Sequence, residues 1–238
     1  MSVKIILHYN QPNIVEIFQT QPGKACRISI MAIQSIDFHL LHPEPLLIVL
    51  SGPSGVGKDT VIHHLLKRSL PIEFVVTTTS RAPRPDEKDG VDYYFVSKQQ
   101  FEEMIAKDEL IEYAHVYQDY KGPQKKHVRQ ALASGKDVIM RLDVQGATRI
   151  RKINPDAVLI FLVPQDEDEW YERLKKRGTE TPESFNIRIA TAEAELKCLS
   201  IFDYVVLNAN HKLEKAVDSI EAIIKVEHMR VTPRKIQI

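Results

Sequence analysis

Unbroken apolar runs and amphipathic stretches alternate along this chain. The runs at 46–50 and 157–163 have the length and continuous hydrophobicity of strands covered on both faces, and 74–76, 137–144 and 204–207 read as further strands. Between them apolar positions recur at helical spacing: Val61, Ile62, Leu65 and Leu66; Phe101 and Ile105; Val128, Ala131 and Leu132; Leu213, Ala216, Val217, Ile220, Ile223 and Ile224. That alternation predicts an α/β fold built on a parallel sheet.

The punctuation refines the elements. Ser97 predicts a cap for the helix through Phe101 and Ile105, and Pro123 a first helical position for a segment ending at Gly135. A charged helix around 170–177 is followed by a turn, with Thr181 and Ser184 as candidate caps of the next helix. The stretch from Thr77 to Gly122 breaks the pattern. It holds a proline-rich segment with Arg81 and Arg84, a turn at Asp89 and Gly90, the strand-like DYYFV, and a strand at 110–116 containing Glu112. Such short strands predict a small lobe inserted into the α/β unit.

The sharpest chemistry lies after the first buried run, where LLIVLSGPSGVGKDT reads as strand, glycine-rich loop and helix. Gly52, Gly55 and Gly57 let successive N–H groups turn inward as a nest for phosphate oxygens, opening onto the positive end of a helix. The nucleotide phosphates are expected along Gly52, Pro53, Ser54, Gly55, Val56, Gly57, Lys58, Asp59 and Thr60, with Lys58 reaching the last two. The spacing fits G-x-x-x-x-G-K-[ST] up to its final position. There Asp59 replaces the usual hydroxyl and Thr60 follows, so either can serve Mg²⁺, a carboxylate being a good ligand for it. Asp143, ending the 137–144 run, is the second Mg²⁺-directed carboxylate expected of a phosphate-loop enzyme, or alternatively a helix cap. Arg173, Arg177 and Arg188 are candidates to neutralise a transferring phosphoryl group from an element that closes, or else a solvated face. His63 and His64 read as solvent-facing or core-edge residues.

Composition narrows the partners. At 238 residues the chain can bury a full core. Its 32 basic and 32 acidic residues produce no global field that favours nucleic acid or an anionic membrane. Cys26 and Cys198 form no metal-binding spacing and suit a reducing compartment. No apolar run approaches the ~18 residues of a membrane span, so a soluble protein is expected. Residues 1–45 hold Lys4, Lys24 and Arg27 against Glu16, Asp37 and Glu44, with neither a secretory nor a transit pattern. They read as an extension outside the catalytic unit, partly paired as a hairpin, with Met31 an alternative start. A cytoplasmic location is expected, an organelle stroma being the alternative.

In order and spacing, SGPSGVGK, TSRAPRPDEKDGVDYYFVS, ELIEYAHV, LDVQGA and RLKKRGTETPESFNIRI resemble the guanylate kinases, over about residues 46–226. RxPRxxExxGxDYxFV is far more specific than the loop. The resemblance implies a P-loop nucleoside monophosphate kinase fold with a parallel-sheet core, a GMP-binding lobe at about 77–122, a helical lid at about 171–190 and a tail from 227 to 238. It implies Mg²⁺-dependent transfer of the γ-phosphoryl group of ATP to GMP or dGMP, by a monomer or homodimer. Carried over, the GMP phosphate falls to Arg81, Arg84 and Tyr93, and the guanine to Glu112 with Thr77 and Asp143. Lys58, Arg173, Arg177 and Arg188 take the catalytic roles, and Asp59, Thr60 and Asp143 the metal. Three positions depart from the family's usual pattern. Lys121 replaces a tyrosine expected on the GMP phosphate, Pro123 a serine near the base, and Arg141 the first acidic residue of DxD. With GKD, this set looks like the type found in plant organelles and some bacteria. Two other readings compete: a guanylate-kinase-like interaction module, which typically loses the lysine that Lys58 retains, and a ribose bisphosphate kinase, which has no use for a guanine-reading lobe.

Overall fold

Alternate side chains of the run beginning at Leu46 face opposite ways, and each way leads to its own hydrophobic layer. The computed structural model describes residues 5–11, 14–21, 24–29, 43–85, 87–116, 119–176 and 182–238, with 5–29, 116, 176 and 182–188 described by backbone alone. The chain divides into units at 1–42 and 43–238. In the first, β1 (Ile5–Gln11), β2 (Ile14–Gln21) and β3 (Lys24–Ser29) form an antiparallel sheet in that order, one strand more than the expected hairpin.

In the second unit β4 (Leu47–Ser51) leads through the glycine-rich loop to α1 (Lys58–Leu65), followed by β5 (Ile72–Val75). The lobe comprises β6 (Thr77–Thr79), β7 (Tyr94–Phe95), α2 (Lys98–Ala106), β8 (Ala114–Val116) and β9 (Asp119–Pro123). The chain returns to the core with α3 (Lys125–Ala133), β10 (Asp137–Arg141), α4 (Val144–Ile153) and β11 (Val158–Val163). α5 (Glu167–Lys176), α6 (Pro182–Leu196), β12 (Tyr204–Leu207) and α7 (Leu213–His228) complete it. Among the described residues the core sheet has the order β12-β11-β4-β10-β5, every pairing parallel, and the lobe sheet the order β7-β6-β9-β8. Leu46, Ile48 and Leu50 pack with α1 and α7, and Leu47 and Val49 with α3 and α4. Truncating one of these leucines to alanine costs about 2–5 kcal/mol, since no solvent reaches the space left. The chain leaves β4 toward β5 and β10, then crosses to β11 and β12. The carboxyl end of β4 therefore opens at a topological switch point, the usual ligand site of such sheets.

Local differences from the sequence reading have local causes. Leu66 caps α1 and is 39% exposed, because the helix stops before it could complete the apolar face. Pro123 ends β9 instead of starting a helix: antiparallel pairing with Thr77 of β6 outweighs the first-turn preference, and α3 begins at Lys125. Glu112 stands in an irregular connection between a bridge at Leu110 and β8, not in a continuous strand. β10 stops at Arg141, and Asp143 caps α4, accepting from the Gly146 N–H at 2.8 Å. Of the DYYFV stretch only Tyr94 and Phe95 form a strand, Tyr93 adding an isolated bridge to Asp89. Ser184 lies inside α6 instead of capping it, and Thr181 lies outside the described residues. Ser97 does cap α2, in a reciprocal box with Gln100. His64 Nδ1 lies 2.8 Å from Glu214 of α7. The tail is tied down by Arg234, which donates to both oxygens of buried Glu227 at 2.7 Å, while Tyr204 donates to the same carboxylate at 2.6 Å. Among the described residues no helix is long and apolar enough to cross a membrane.

Candidate active site

The loop after β4 is held from outside and open on its inner face. Gly57 precedes α1 at φ 95°, a conformation closed to most side chains, and a Cβ there would come within 2.7 Å of Asn208 Nδ2. Asn208 needs that room: it donates to the Val56 carbonyl at 2.8 Å. Arg173 of α5 donates to the Val56 carbonyl at 3.1 Å and the Asn208 carbonyl at 2.8 Å, and Trp170 donates to the Ser54 carbonyl at 2.8 Å. On the inner side the Lys58 ammonium donates to the carbonyls of Gly52, at 2.5 Å, and Pro53, at 3.0 Å. An anion entering the nest competes for a charge already aimed at its rim.

A cavity of about 880 Å³ has this loop on its wall, through Gly52, Ser54, Gly55, Gly57, Lys58, Asp59 and Thr60. The same wall carries Thr77, Arg81, Arg84, Tyr93, Glu112 and Lys121 from the lobe, and Arg141, Asp143 and Glu195 from the core and α6. Thus residues 83 positions apart, such as Lys58 and Arg141, share one space because β4 and β10 are parallel neighbours. Pro53 and Val56 are not on this wall. Arg173 lines a separate cavity of about 300 Å³ with Asn208, Asn210 and His211. Arg177 and the side chain of Arg188 lie outside the described residues.

At the lobe end the polar groups divide into two sets. Around the Tyr93 ring stand three cations, with Arg141 Cζ 4.7 Å, Lys121 Nζ 5.5 Å and Arg81 Cζ 5.6 Å from its centroid. Burial lowers the pKa of Lys121, and the Arg81 charge lowers it further. Glu87 fixes Arg81, accepting from its Nη2 on both oxygens at 2.8 Å, and accepts from the Arg84 N–H at 2.8 Å. Burial opposes the Glu87 charge, but these bonds outweigh it and hold the carboxyl below its usual range. Such a crowd of positive charge suits a phosphate.

The second set is Glu112 and Thr77, both buried on the cavity wall. Burial pushes the Glu112 carboxyl up to about 7, the Asp143 charge adding to this and Arg149 opposing it. Arg149 Nη1 lies 3.3 Å from Glu112 Oε2. Gly146 makes the approach possible, since a Cβ there would come within 2.9 Å of Glu112 Oε1. The Thr77 hydroxyl is buried and has no hydrogen-bond partner among the described residues. A carboxylate and an unsatisfied hydroxyl on one wall match a ligand edge rich in donors.

Several of these residues were not singled out from the sequence. Glu87 sits inside the arginine-rich motif, where its spacing to Arg84 was the available signal. Glu195, whose pKa is raised by burial against the pull of Lys58, and Asn208 carried none, since only the fold brings them to the loop.

A family model described as guanylate kinase matches residues 44–227. The chain is 48% identical over 197 residues to "Guanylate kinase 2, chloroplastic/mitochondrial" of Oryza sativa subsp. japonica, covering 82% of this chain and 69% of that one. It is 46% identical over 192 residues to a guanylate kinase of Latilactobacillus sakei, covering 80% and 93%. The structure is similar to the crystal structure of guanylate kinase from Anaplasma phagocytophilum, with a TM-score of 0.65 at 29% identity over 81% of this chain and 90% of that one.

Proposed function

The chain belongs to the guanylate kinase family and is an ATP:GMP phosphotransferase; we propose that transfer takes place in the larger cavity, between ATP phosphates on the loop and GMP in the lobe. The observation that carries this is the sharing of one cavity wall by Lys58, the Tyr93 cation cluster and buried Glu112. Arg81, Arg84, Tyr93 and Lys121 hold the GMP phosphate. The ionised Glu112 carboxylate accepts from N1–H and the N2 amino group of guanine, and Thr77 and Asp143 supply the remaining polar contacts. Lys58 turns from its loop carbonyls to the β- and γ-phosphate oxygens, where its charge is worth most as the γ-phosphoryl detaches. Arg173 fixes the outer wall of the loop, so its catalytic part is exerted through the loop's shape.

The chain's oxygen donors fit a magnesium ion. Among the described residues no group of three acidic, His or Cys side chains could hold a metal by itself. Mg²⁺ needs less, being usually held by one or two carboxylates together with substrate phosphates and water. Asp59, Thr60 and Asp143 are hard oxygen ligands on the same wall as the loop. With ATP bound, Mg²⁺ would there neutralise charge on the transferring group.

The same reading takes dGMP as a second acceptor. The cytoplasm, or an organelle stroma as the name of the rice relative suggests, is the proposed location. ADP release measured separately with GMP, AMP, UMP and ribose 1,5-bisphosphate tests the proposal. Turnover with GMP alone is expected. Turnover with ribose 1,5-bisphosphate, or with no acceptor offered, would refute the assignment of the lobe.

A further inference from the structure

Arg141 and Asp59 are the two positions at which this chain departs from the usual loop and DxD patterns, and in the fold they form an ion pair. An acidic residue has gone from the end of β10 and one has appeared at the start of α1, so the local charges are exchanged. The Arg141 side chain is largely buried, whereas that of Asp59 is mostly exposed. The guanidinium belongs to both ends of the cavity. One edge meets Asp59 beside the phosphate loop, Nη2 donates to the Asp92 carbonyl of the lobe at 3.3 Å, and Cζ lies 4.7 Å from the Tyr93 ring centroid. Lys121 and Arg81 border that same ring, so Arg141 is the third cation of the acceptor-phosphate cluster.

We propose that Arg141 couples the two substrate sites: it withholds Asp59 from Mg²⁺ until the acceptor's phosphate draws the guanidinium away. The inference rests on the reading above that Asp59 is a metal position. The competition is simple electrostatics. A carboxylate oxygen accepting from a guanidinium is partly neutralised and sterically covered, and a dianionic phosphate at Tyr93 is the stronger attractor for that guanidinium. Once released, Asp59 regains its full charge next to the donor phosphates. The metal then binds best when both substrates are present, which disfavours hydrolysis of ATP without an acceptor. By thermodynamic reciprocity Mg²⁺ must likewise tighten GMP binding.

The test is a binding titration. A fluorescent, non-hydrolysable ATP analogue is bound at increasing Mg²⁺ with no acceptor, with saturating GMP, or with guanosine, which lacks the phosphate. In the wild type, GMP is expected to lower the half-saturating Mg²⁺ by about fivefold or more, within the range usual for coupled sites, and guanosine to leave it unchanged. In Arg141→Met the half-saturating Mg²⁺ is already low without acceptor and GMP shifts it less than about twofold; Arg141→Lys, which keeps the charge, retains part of the shift and controls for folding. A GMP-dependent shift of wild-type size in Arg141→Met, or an equal shift with guanosine, would overturn the coupling. Asp59→Asn separates the two layers. If it raises the half-saturating Mg²⁺ while Arg141→Met behaves as wild type, the metal position stands and the coupling falls. If it changes nothing, both fall.

Discussion

Glu112 and Gly146 leave no room between them for a side chain: any Cβ at position 146 would come within 2.9 Å of the Glu112 carboxyl oxygen. With Arg149 Nη1 3.3 Å from the other oxygen, the carboxyl is positioned from both sides but left in an environment that raises its pKa to about 7, chiefly by burial. Guanine recognition needs the ionised form, because a protonated carboxyl presents a donor to a donor. The affinity for GMP is therefore expected to rise with pH through about 7, while the affinity for ATP changes little. Stability should move the other way. The folded state binds the proton more tightly than the unfolded one, so this contribution is complete below the unfolded value near 4.5 and is lost as pH rises through about 7. Calorimetric GMP titrations and thermal unfolding between pH 5.5 and 8.5 would check both signs. A flat GMP affinity in the Glu112→Gln variant, beside a sloping one in the wild type, would tie the slope to this residue.

Glu112→Gln is itself expected to lower kcat/KM for GMP by ~10² or more, because its amide turns an NH₂ toward one of the two guanine donors. If the variant keeps both its GMP efficiency and its preference over AMP, base recognition resides in Thr77 and Asp143.

Lys58→Ala should fold normally yet lose transfer. Its two hydrogen bonds to loop carbonyls can be replaced by water, whereas one such charge on a transition state in a dry site is worth ~3 kcal/mol or more. Retention of more than about a tenth of kcat in single-turnover assays would sink the assignment.

The placement of Arg173 changes what its removal should do. Read from sequence, an arginine on a lid helix is a transition-state residue whose loss lowers kcat. Here it holds the Val56 and Asn208 carbonyls behind the loop. Arg173→Ala is accordingly expected to raise KM for ATP by ~10-fold, since bonds from a charged group are worth about 1.5–3 kcal/mol, with KM for GMP unaltered. A fall in kcat at unchanged KM for ATP would return Arg173 to the transition state.

Much of this site was legible in the chain, and the boundary between what was and was not is physical. The strand-loop-helix around Lys58 and the motif from Arg81 to Val96 are local, so spacing alone predicts a phosphate loop and an interrupted lobe, while the resemblance carried by that motif is what assigns Arg81, Arg84 and Tyr93 to the acceptor phosphate. Pairing is not local. Pro123 satisfies a helix-start rule and is overruled by β6, Leu110 to Val116 reads as one strand and breaks at Glu112, and Asp143 serves as cap and cavity wall together. Arg141 and Asp59, separated by 82 positions, read as two independent departures until the parallel pairing of β4 and β10 makes them one interaction.

Glu87 poses the remaining question, because a carboxylate beside a phosphate site has two opposite possible effects. As a charge it repels the incoming dianion, and removing that charge would strengthen GMP binding. As a clamp it holds Arg81 by two 2.8 Å contacts and the Arg84 backbone by a third, and removing it lets the arginine swing away. The geometry favours the clamp. Both carboxylate oxygens are occupied, the pair is largely buried with side-chain exposures of 20% and 16%, and the carboxyl's lowered pKa shows its charge already matched by its neighbours. Breaking a buried charged pair by neutralising one partner typically costs more than an exposed pair would, where the worth is ~0–1 kcal/mol. Glu87→Gln keeps the shape, one carbonyl acceptor and the backbone contact but loses the second guanidinium bond. It is therefore expected to raise KM for GMP by ~10-fold, with KM for ATP unchanged and kcat reduced less than twofold, as fits a positioning residue that acts through Arg81. Glu87→Asp, which keeps the charge at a shorter reach, should fall between the two. The informative comparison is GMP against guanosine as competitors of a fluorescent GMP analogue. If Glu87 positions Arg81, the mutation weakens GMP and leaves guanosine alone. A variant that binds GMP more tightly than wild type would instead make Glu87 a counter-charge that weakens binding of the acceptor.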